Sequence, residues 1–452
     1  MKIRKEIRLL LASLSLAAIT FSLAVRAQAQ TESVILTFTG ATTTGTTPTA
    51  GLVADAAGNL YGVTPYGGKQ GHYCPNSSGC GFVYELSPNG SGGYTQTVLF
   101  NFDEGPDGGF PRSNLILDAA GNLYGVTDLG GYRNKVCNSG SGCGVVYKLS
   151  PGSGGWTQTV LYTFLNAGDG NSPYGPLAFD AAGNLYGTTE FGGSSSCVAT
   201  LGNPCGLVFE LTPTTSGSWT ESVLHNFTGG NDGANPYAGV VLDAAGNVYG
   251  SASGGNPALC KVAFSCGVVF KLSNGSSGWT ETVLHTFADG RDGGTPGQLT
   301  IDGTGNLYGT SQTGGDPTCT VYGNANNCGV VFKLTPTLGG SWKETAFAFS
   351  LWDGGQPQGG VTVDASGNVY GTASVGGILS CTAGSGNGCG VVFKLTPKSS
   401  GGWTPSILHR FAGGTDGVSP IGSLLFDSAG NIFGTTPLGG ADNDGIVYEI
   451  TP

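Results

Sequence analysis

Apolar residues in this chain fall into short runs, and four such runs recur in a fixed order. The first leads into an aspartate, as in GLVAD at 51–55, NLILD at 114–118, PLAFD at 176–180 and GVVLD at 239–243. A polar turn comes next, and then a second run, NLYGTT or a relative. GVVFKL at 267–272 typifies the third run, and WTETVLHTF from Trp279 to Phe287 the fourth. All are rich in β-branched and aromatic residues and bounded by Gly, Pro, Ser or Asn, which predicts four strands per unit.

The turn between the first two strands repeats almost letter for letter. DAAGNLYG stands at 55–62, 118–125 and 180–187, with near copies starting at Asp243, Asp302, Asp364 and Asp427. The Asn of each copy is Asn59, Asn122, Asn184, Asn247, Asn306, Asn368 or Asn431, giving steps of 63, 62, 63, 59, 62 and 63 residues. The leading Asp reads as a turn residue that accepts backbone N–H bonds, with Gly58 supplying a positive φ where the chain reverses. A calcium loop would need several carboxylates at alternate positions, and this segment has one. Seven four-stranded units of this length predict an all-β, seven-bladed β-propeller with antiparallel blades.

The two chain ends complement each other. The last unit runs GIVYEITP to Pro452 and has no fourth strand, whereas Thr31 to Phe38 reads TESVILTF, a match to the fourth strand TESVLHNF at 220–227. The N-terminal strand is therefore expected to complete the last blade and close the ring. Its final residue belongs to a series, Phe38, Phe102, Phe164, Phe227, Phe287, Phe349 and Phe411, one per blade. Pro405, inside the sixth of these strands, fits an outer edge.

Residues 1–29 read as a secretory signal peptide: MKIRKEIR, an apolar run from Leu9 to Val25, then Ala27-Gln28-Ala29. Residues 30–452 are expected to form the single propeller domain of a secreted, cell-surface or periplasmic protein, with no membrane span. Loss of the leader leaves 13 basic and 28 acidic residues, a net charge of about −15. Such a surface repels phosphate backbones and argues against nucleic-acid partners. Twelve cysteines in an exported chain favour disulfides. They arrive in pairs inside single repeats: Cys74 with Cys80, Cys137 with Cys143, Cys197 with Cys205, Cys260 with Cys266, Cys319 with Cys328 and Cys381 with Cys389.

Because antiparallel strands alternate direction, the cysteine loops and the loops joining the blades share one face. The joining loops carry Asp-Gly-x-x-Pro at Asp107, Asp169, Asp232, Asp292, Asp353 and Asp416, read as turns, with a ring of calcium sites as the alternative. No cofactor is otherwise expected. Residues that break the repeat are the functional candidates. Trp352 precedes Asp353 where other units have Pro106, Gly168, Asn231, Arg291 or Thr415, and an exposed Trp suits stacking on a sugar. Asp128 and Glu190 vary at the exit of the second strand and form a candidate acid pair across neighbouring blades. With His72 and Arg291 these make up the ligand-binding set, and Asp128, Glu190 and His72 the catalytic alternative. Asp442 and Asp444, in the short loop of the last unit, are an alternative cation site. His225, His285 and His409 share one repeat position and read as packed side chains.

With these motifs in hand, the chain resembles the bacterial tandem-repeat proteins called GloVer, of the choice-of-anchor type. Their units read D-A-A-G-N-L-Y-G-T-T, then G-G, then G-V-V-F-K-L-T-P, then D-G-x-x-P, and the resemblance runs from about Gly51 to Pro452. It implies an exported, surface-associated protein and supplies no activity. Relatives tend to end in an anchoring segment; this chain ends on its own third strand, which favours free secretion or periplasmic residence. A likeness to the NHL propeller pattern D-x-x-G-N-x-Y concerns fold alone. The expected function is binding of an extracellular glycan or protein by a monomer, through the cysteine-loop face. The alternative is a polysaccharide hydrolase or lyase with an acidic site near the channel mouth.

Overall fold

The structure, a computed structural model, describes residues 30–40, 44–69, 74, 79–133, 137, 140–193, 197, 205–255, 266–325, 328–381, 383 and 386–451. Seven antiparallel sheets stand around a central channel, and no α-helix occurs among the described residues. Blade 1 comprises Val53–Ala54, Leu60–Thr64, Phe82–Pro88 and Tyr94–Asn101, in that order from channel to rim. Blades 2 to 6 repeat it. Blade 3 carries an extra inner segment, Asn171–Pro173, and the cysteine loop of blade 5 an extra two-stranded ribbon, Thr320–Val321 with Asn324–Ala325.

Blade 7 is built from both ends of the chain. Leu425–Phe426, Ile432–Thr436 and Ile446–Thr451 are joined by Thr31–Thr37 as the outer strand, with Thr31 opposite Thr451 and Thr37 opposite Ile446. Phe38 donates its N–H to the Gly445 carbonyl at 3.0 Å, the bond that Phe102 makes to Gly81 and Phe164 to Gly144. The ring is closed as the repeat demands.

The third strand of each blade is buried on both faces, and the closing Phe of one blade packs edge-on against the third-strand aromatic of the next. Phe102 meets Tyr147, Phe164 Phe209, Phe227 Phe270, Phe349 Phe393 and Phe411 Tyr448 at 5.1–5.2 Å between ring centroids. Phe287 with Phe332 at 5.1 Å and Phe38 with Tyr84 at 5.6 Å complete the circle. All seven closing Phe are fully buried. The Gly of each NLYG run makes room for the aromatic partner: a Cβ at Gly125 would lie 2.5 Å from the Tyr147 hydroxyl. A second ring of contacts sits further out, where Trp156, Trp279 and Trp342 reach Tyr61, Tyr186 and Tyr249 of the preceding blade.

The repeated Asp is a turn residue. Asp55 Oδ1 accepts the N–H groups of Ala57 and Asn59 at 2.9 Å, and Oδ2 accepts Asn59 Nδ2 at 2.7 Å and the Tyr61 hydroxyl at 3.0 Å. The other six copies repeat the two backbone bonds. Five of the expected disulfides are formed, each within one blade's loop. Cys260, the expected partner of Cys266, lies outside the described residues. No helix among the described residues is long and apolar enough to cross a membrane, and residues 1–29 lie outside them.

Candidate functional site

Each joining loop ends in a Pro that starts the run toward the innermost strand, and the residue after it stands at the channel mouth. Around the ring these residues are Thr49, Arg112, Tyr174, Tyr237, Gly297, Gln358 and Ile421. All but Gly297 line a cavity of about 360 Å³. Glu190 and Gln312, from exits of second strands, join them, as do Gln298 of an innermost strand and Asn114 and Ser423, each two residues before one. The inner strands crowd together below. Gly175 meets Gly239 so closely that a Cβ would fall 2.0 Å from its backbone nitrogen. Ser423 Oγ donates across to Gln298 Oε1 at 3.3 Å, and Gly51 N–H to Asn114 Oδ1 at 2.6 Å, which gives the cavity a polar floor. Both rings emerge on the cysteine-loop face.

The mouth is divided in two. On the side of blades 1 to 4, the Arg112 guanidinium is centred 5.5 Å from the Tyr66 ring, donates from Nη2 to the Tyr66 hydroxyl at 3.1 Å, and puts Nε 3.6 Å from Asp128 Oδ2. Burial works against its charge, but Tyr66, Tyr174 and Asp128 more than offset this and hold it above its usual value. Burial raises Asp128 as well, opposed by Arg112 and the Ser172 hydroxyl. Glu190 is pushed up to about 7, first by burial and then by the charge of Asp128. Tyr174 and Tyr237 meet edge-on at 6.5 Å, and the Tyr237 hydroxyl donates to the Pro296 carbonyl at 3.4 Å. The far side is neutral, with Gln298, Gln312, Gln358, Ser423 and Thr49.

The sequence profile of the Gloeobacter/Verrucomicrobia repeat matches residues 17–201 and 196–381. The chain belongs to this repeat family. No curated protein matches it. Among solved structures, this repeat protein is similar to a putative 6-phosphogluconolactonase from Bacteroides uniformis, at 13% identity over 85% of this chain and 88% of that one, with a TM-score of 0.49. It is also similar to a gluconolactonase from Xanthomonas campestris, at 12% identity over 95% and 92% of the two chains, with a TM-score of 0.42.

The candidates read from the repeat protein's sequence are only partly gathered here. Of the two acids, Glu190 lines the cavity and Asp128, from the adjacent blade, does not; Asp128 pairs with Arg112, and its charge acts on Glu190. Trp352 is 69% exposed on the loop between blades 5 and 6 and does not line the cavity. Arg291 is exposed on the preceding joining loop; Asp316, lowered mainly by the N–H and hydroxyl of Thr318, feels its charge. His72 lies outside the described residues. Asp444 accepts the Thr46 hydroxyl at 2.7 Å and so ties blade 7 to the start of blade 1, while Asp442 is exposed.

Arg112, Tyr174, Tyr237, Gln298 and Gln358 escape a reading of second-strand exits. For the residues at the mouth itself a signal is nevertheless in the chain: a Pro precedes this position in every unit, and the next residue is Thr, Arg, Tyr, Tyr, Gly, Gln or Ile. Variation inside so constant a frame marks a position that the blade does not use.

Proposed function

We propose that the protein is exported and binds an extracellular glycan at the channel mouth, on the face bearing the disulfide loops. The observation that carries this reading is the divided cavity. Tyr174 and Tyr237 offer aromatic surface for the C–H faces of a sugar. Arg112, held by Asp128, and Glu190 on one side and three Gln amides on the other offer donors and acceptors for its hydroxyls. Short disulfide loops stiffen the rim, which reduces the entropy lost on binding. The basic and apolar leader at residues 2–25 and the disulfides support export. A glycan-array screen of residues 30–452 tests the proposal. Arg112→Ala and Tyr237→Ala are expected to abolish binding to the sugars that score; a screen without hits, or hits unchanged in both variants, rules against it.

One observation favours a second reading, a polysaccharide hydrolase. Burial raises both carboxyls, Glu190 to about 7, but Asp128 is paired with Arg112 and Glu190 is not, so the two differ in environment as an acid and a base must. Product analysis on the same sugars decides. Turnover lost in Glu190→Gln supports hydrolysis, and tight binding without products supports recognition alone.

A further inference from the structure

Seven repeats in one chain serve as an internal alignment, and one set of positions varies in concert. At the outer edge of each blade junction three residues come together: the one two before the closing Phe, the Asp of the joining loop, and the one two past the aromatic that opens the next outer strand, or its equivalent. His225 meets Asp232 and Glu281, His285 meets Asp292 and Glu344, and His409 meets Asp416 and Glu32. Where Leu36, Phe100 or Phe347 replaces His, the third position is Gln96, Gln158 or Pro405. At the remaining junction Tyr162 bonds to Asp169 at 3.1 Å beside Glu221. Each His is accompanied by two carboxylates, and each purely apolar substitute by none at the third position.

Packing alone explains the rings, which stand edge-on to Phe227, Phe287 and Phe411 at 4.6–4.8 Å. It does not explain the polar atoms. Glu32 Oε1, Glu281 Oε1, Glu344 Oε1 and His285 Nε2 are buried without a hydrogen-bond partner among the described residues, and His225 Nε2 has only the long contact of 3.5 Å to Asp232 Oδ2. Glu221 Oε1 shares this fate, but its junction lacks a ring nitrogen. A buried orphan of this kind is unfavourable unless something occupies its lone pair. Its recurrence in all three His junctions points to one missing partner.

We propose that Glu32, His409 and Asp416 bind a divalent transition-metal ion such as Zn2+, and that the His225 and His285 clusters are looser copies of this site. Their ligating atoms lie within 4.8 Å of one another, with His409 Nε2 already 2.9 Å from Asp416 Oδ1. Donors around tetrahedral zinc sit about 3.3 Å apart, so a small swing of the Glu32 side chain completes the set. One imidazole nitrogen and two carboxylates suit zinc better than calcium, and water fills the fourth position. Glu32 belongs to the N-terminal strand that completes blade 7, whereas His409 and Asp416 belong to blade 6 and the loop after it. The ion therefore ties the closing strand across a junction to the preceding blade.

The test is titration of untagged, chelator-stripped protein with ZnCl2 by calorimetry, with Co2+ as a visible-absorbing probe. Saturable uptake is expected, and Glu32→Gln and His409→Gln each weaken the tightest site at least about tenfold while His225→Gln leaves it intact. Zn2+ also raises the melting temperature of the parent protein and not of the first two variants. Absence of saturable uptake by the folded protein, or uptake unaltered in both variants, overturns the proposal. Should a variant fail to fold, the parent Co2+ spectrum decides: bands of a nitrogen and oxygen ligated site support it, and their absence overturns it.

Discussion

Phe38 and Tyr84 meet edge-on with their ring centres 5.6 Å apart, one at the end of the first strand of the chain and the other in the third strand of blade 1. Six further pairs repeat this contact around the ring, so the N-terminal segment supplies a part that every other junction takes from the preceding repeat. Phe38 is fully buried. Phe38→Ala is expected to cost about 3–5 kcal/mol, the usual range for emptying a buried aromatic site. Chemical denaturation measures it, and a loss below about 1 kcal/mol would mean that the seventh junction is not equivalent to the rest.

Tyr147 presents the opposite case. Blades 3 to 6 place Phe209, Phe270, Phe332 and Phe393 at this position, whereas the hydroxyls of Tyr84, Tyr147 and Tyr448 are buried without a partner among the described residues. Tyr147→Phe removes a desolvated hydroxyl and leaves the ring contact with Phe102 in place. Stability is expected to rise by about 1 kcal/mol in thermal or urea unfolding. A loss of that size would show that the hydroxyl is satisfied in solution.

Stability should depend on pH in two directions. Glu221 is pushed up to about 7 by burial and then by Asp169. An acid raised in the folded state keeps a proton that the unfolded chain releases, so its contribution favours folding at low pH and declines as pH rises from about 4.5 to about 7. The turn carboxylates of Asp55, Asp118, Asp180, Asp243, Asp302 and Asp364 are held below 3.8; at Asp118 burial opposes this, and bonds from Asn122, Tyr124 and Ala120 outweigh it. Their contribution is present above that value and is lost as pH falls through the folded pKa. A melting temperature that peaks near pH 4–5 is expected. Glu221→Gln should reduce the decline toward neutral pH by about 1–2 °C, because solvent screening limits the effect at a half-exposed site. An unchanged slope would remove Glu221 as its source.

The cysteines give a prediction independent of packing. Intact protein should gain the mass of twelve hydrogens on reduction, for six intrachain bridges, and peptide mapping should find every bridge inside one blade's loop. The pair Cys260 and Cys266 is included in that expectation. A bridge between blades would contradict the pairing.

Much of this architecture is legible in the sequence because its causes are local. Four short runs per unit, a turn with one carboxylate and a positive-φ glycine, and a Phe at the end of each outer strand encode a blade within about 60 residues. The complementary chain ends give the closure, since a strand without a partner and a blade without a strand have one economical solution. The face bearing the loops comes from strand alternation, and Asp128 and Glu190 are visible as departures from the repeat.

Which departures meet is decided only by the tertiary structure. Arg112 reaches Asp128 within one blade but leans on Tyr66 of the blade before, and Ser423 reaches Gln298 from 125 residues away. Trp352, conspicuous in the sequence, is left on the rim. The His, Asp and Glu of each proposed metal cluster occupy unrelated places in the repeat and join only where twisted outer strands of neighbouring blades touch. Blades are specified by near neighbours along the chain, whereas the channel mouth and the junctions are made by neighbours around a ring. Their separations are set by ring curvature and blade twist, and no local pattern carries those.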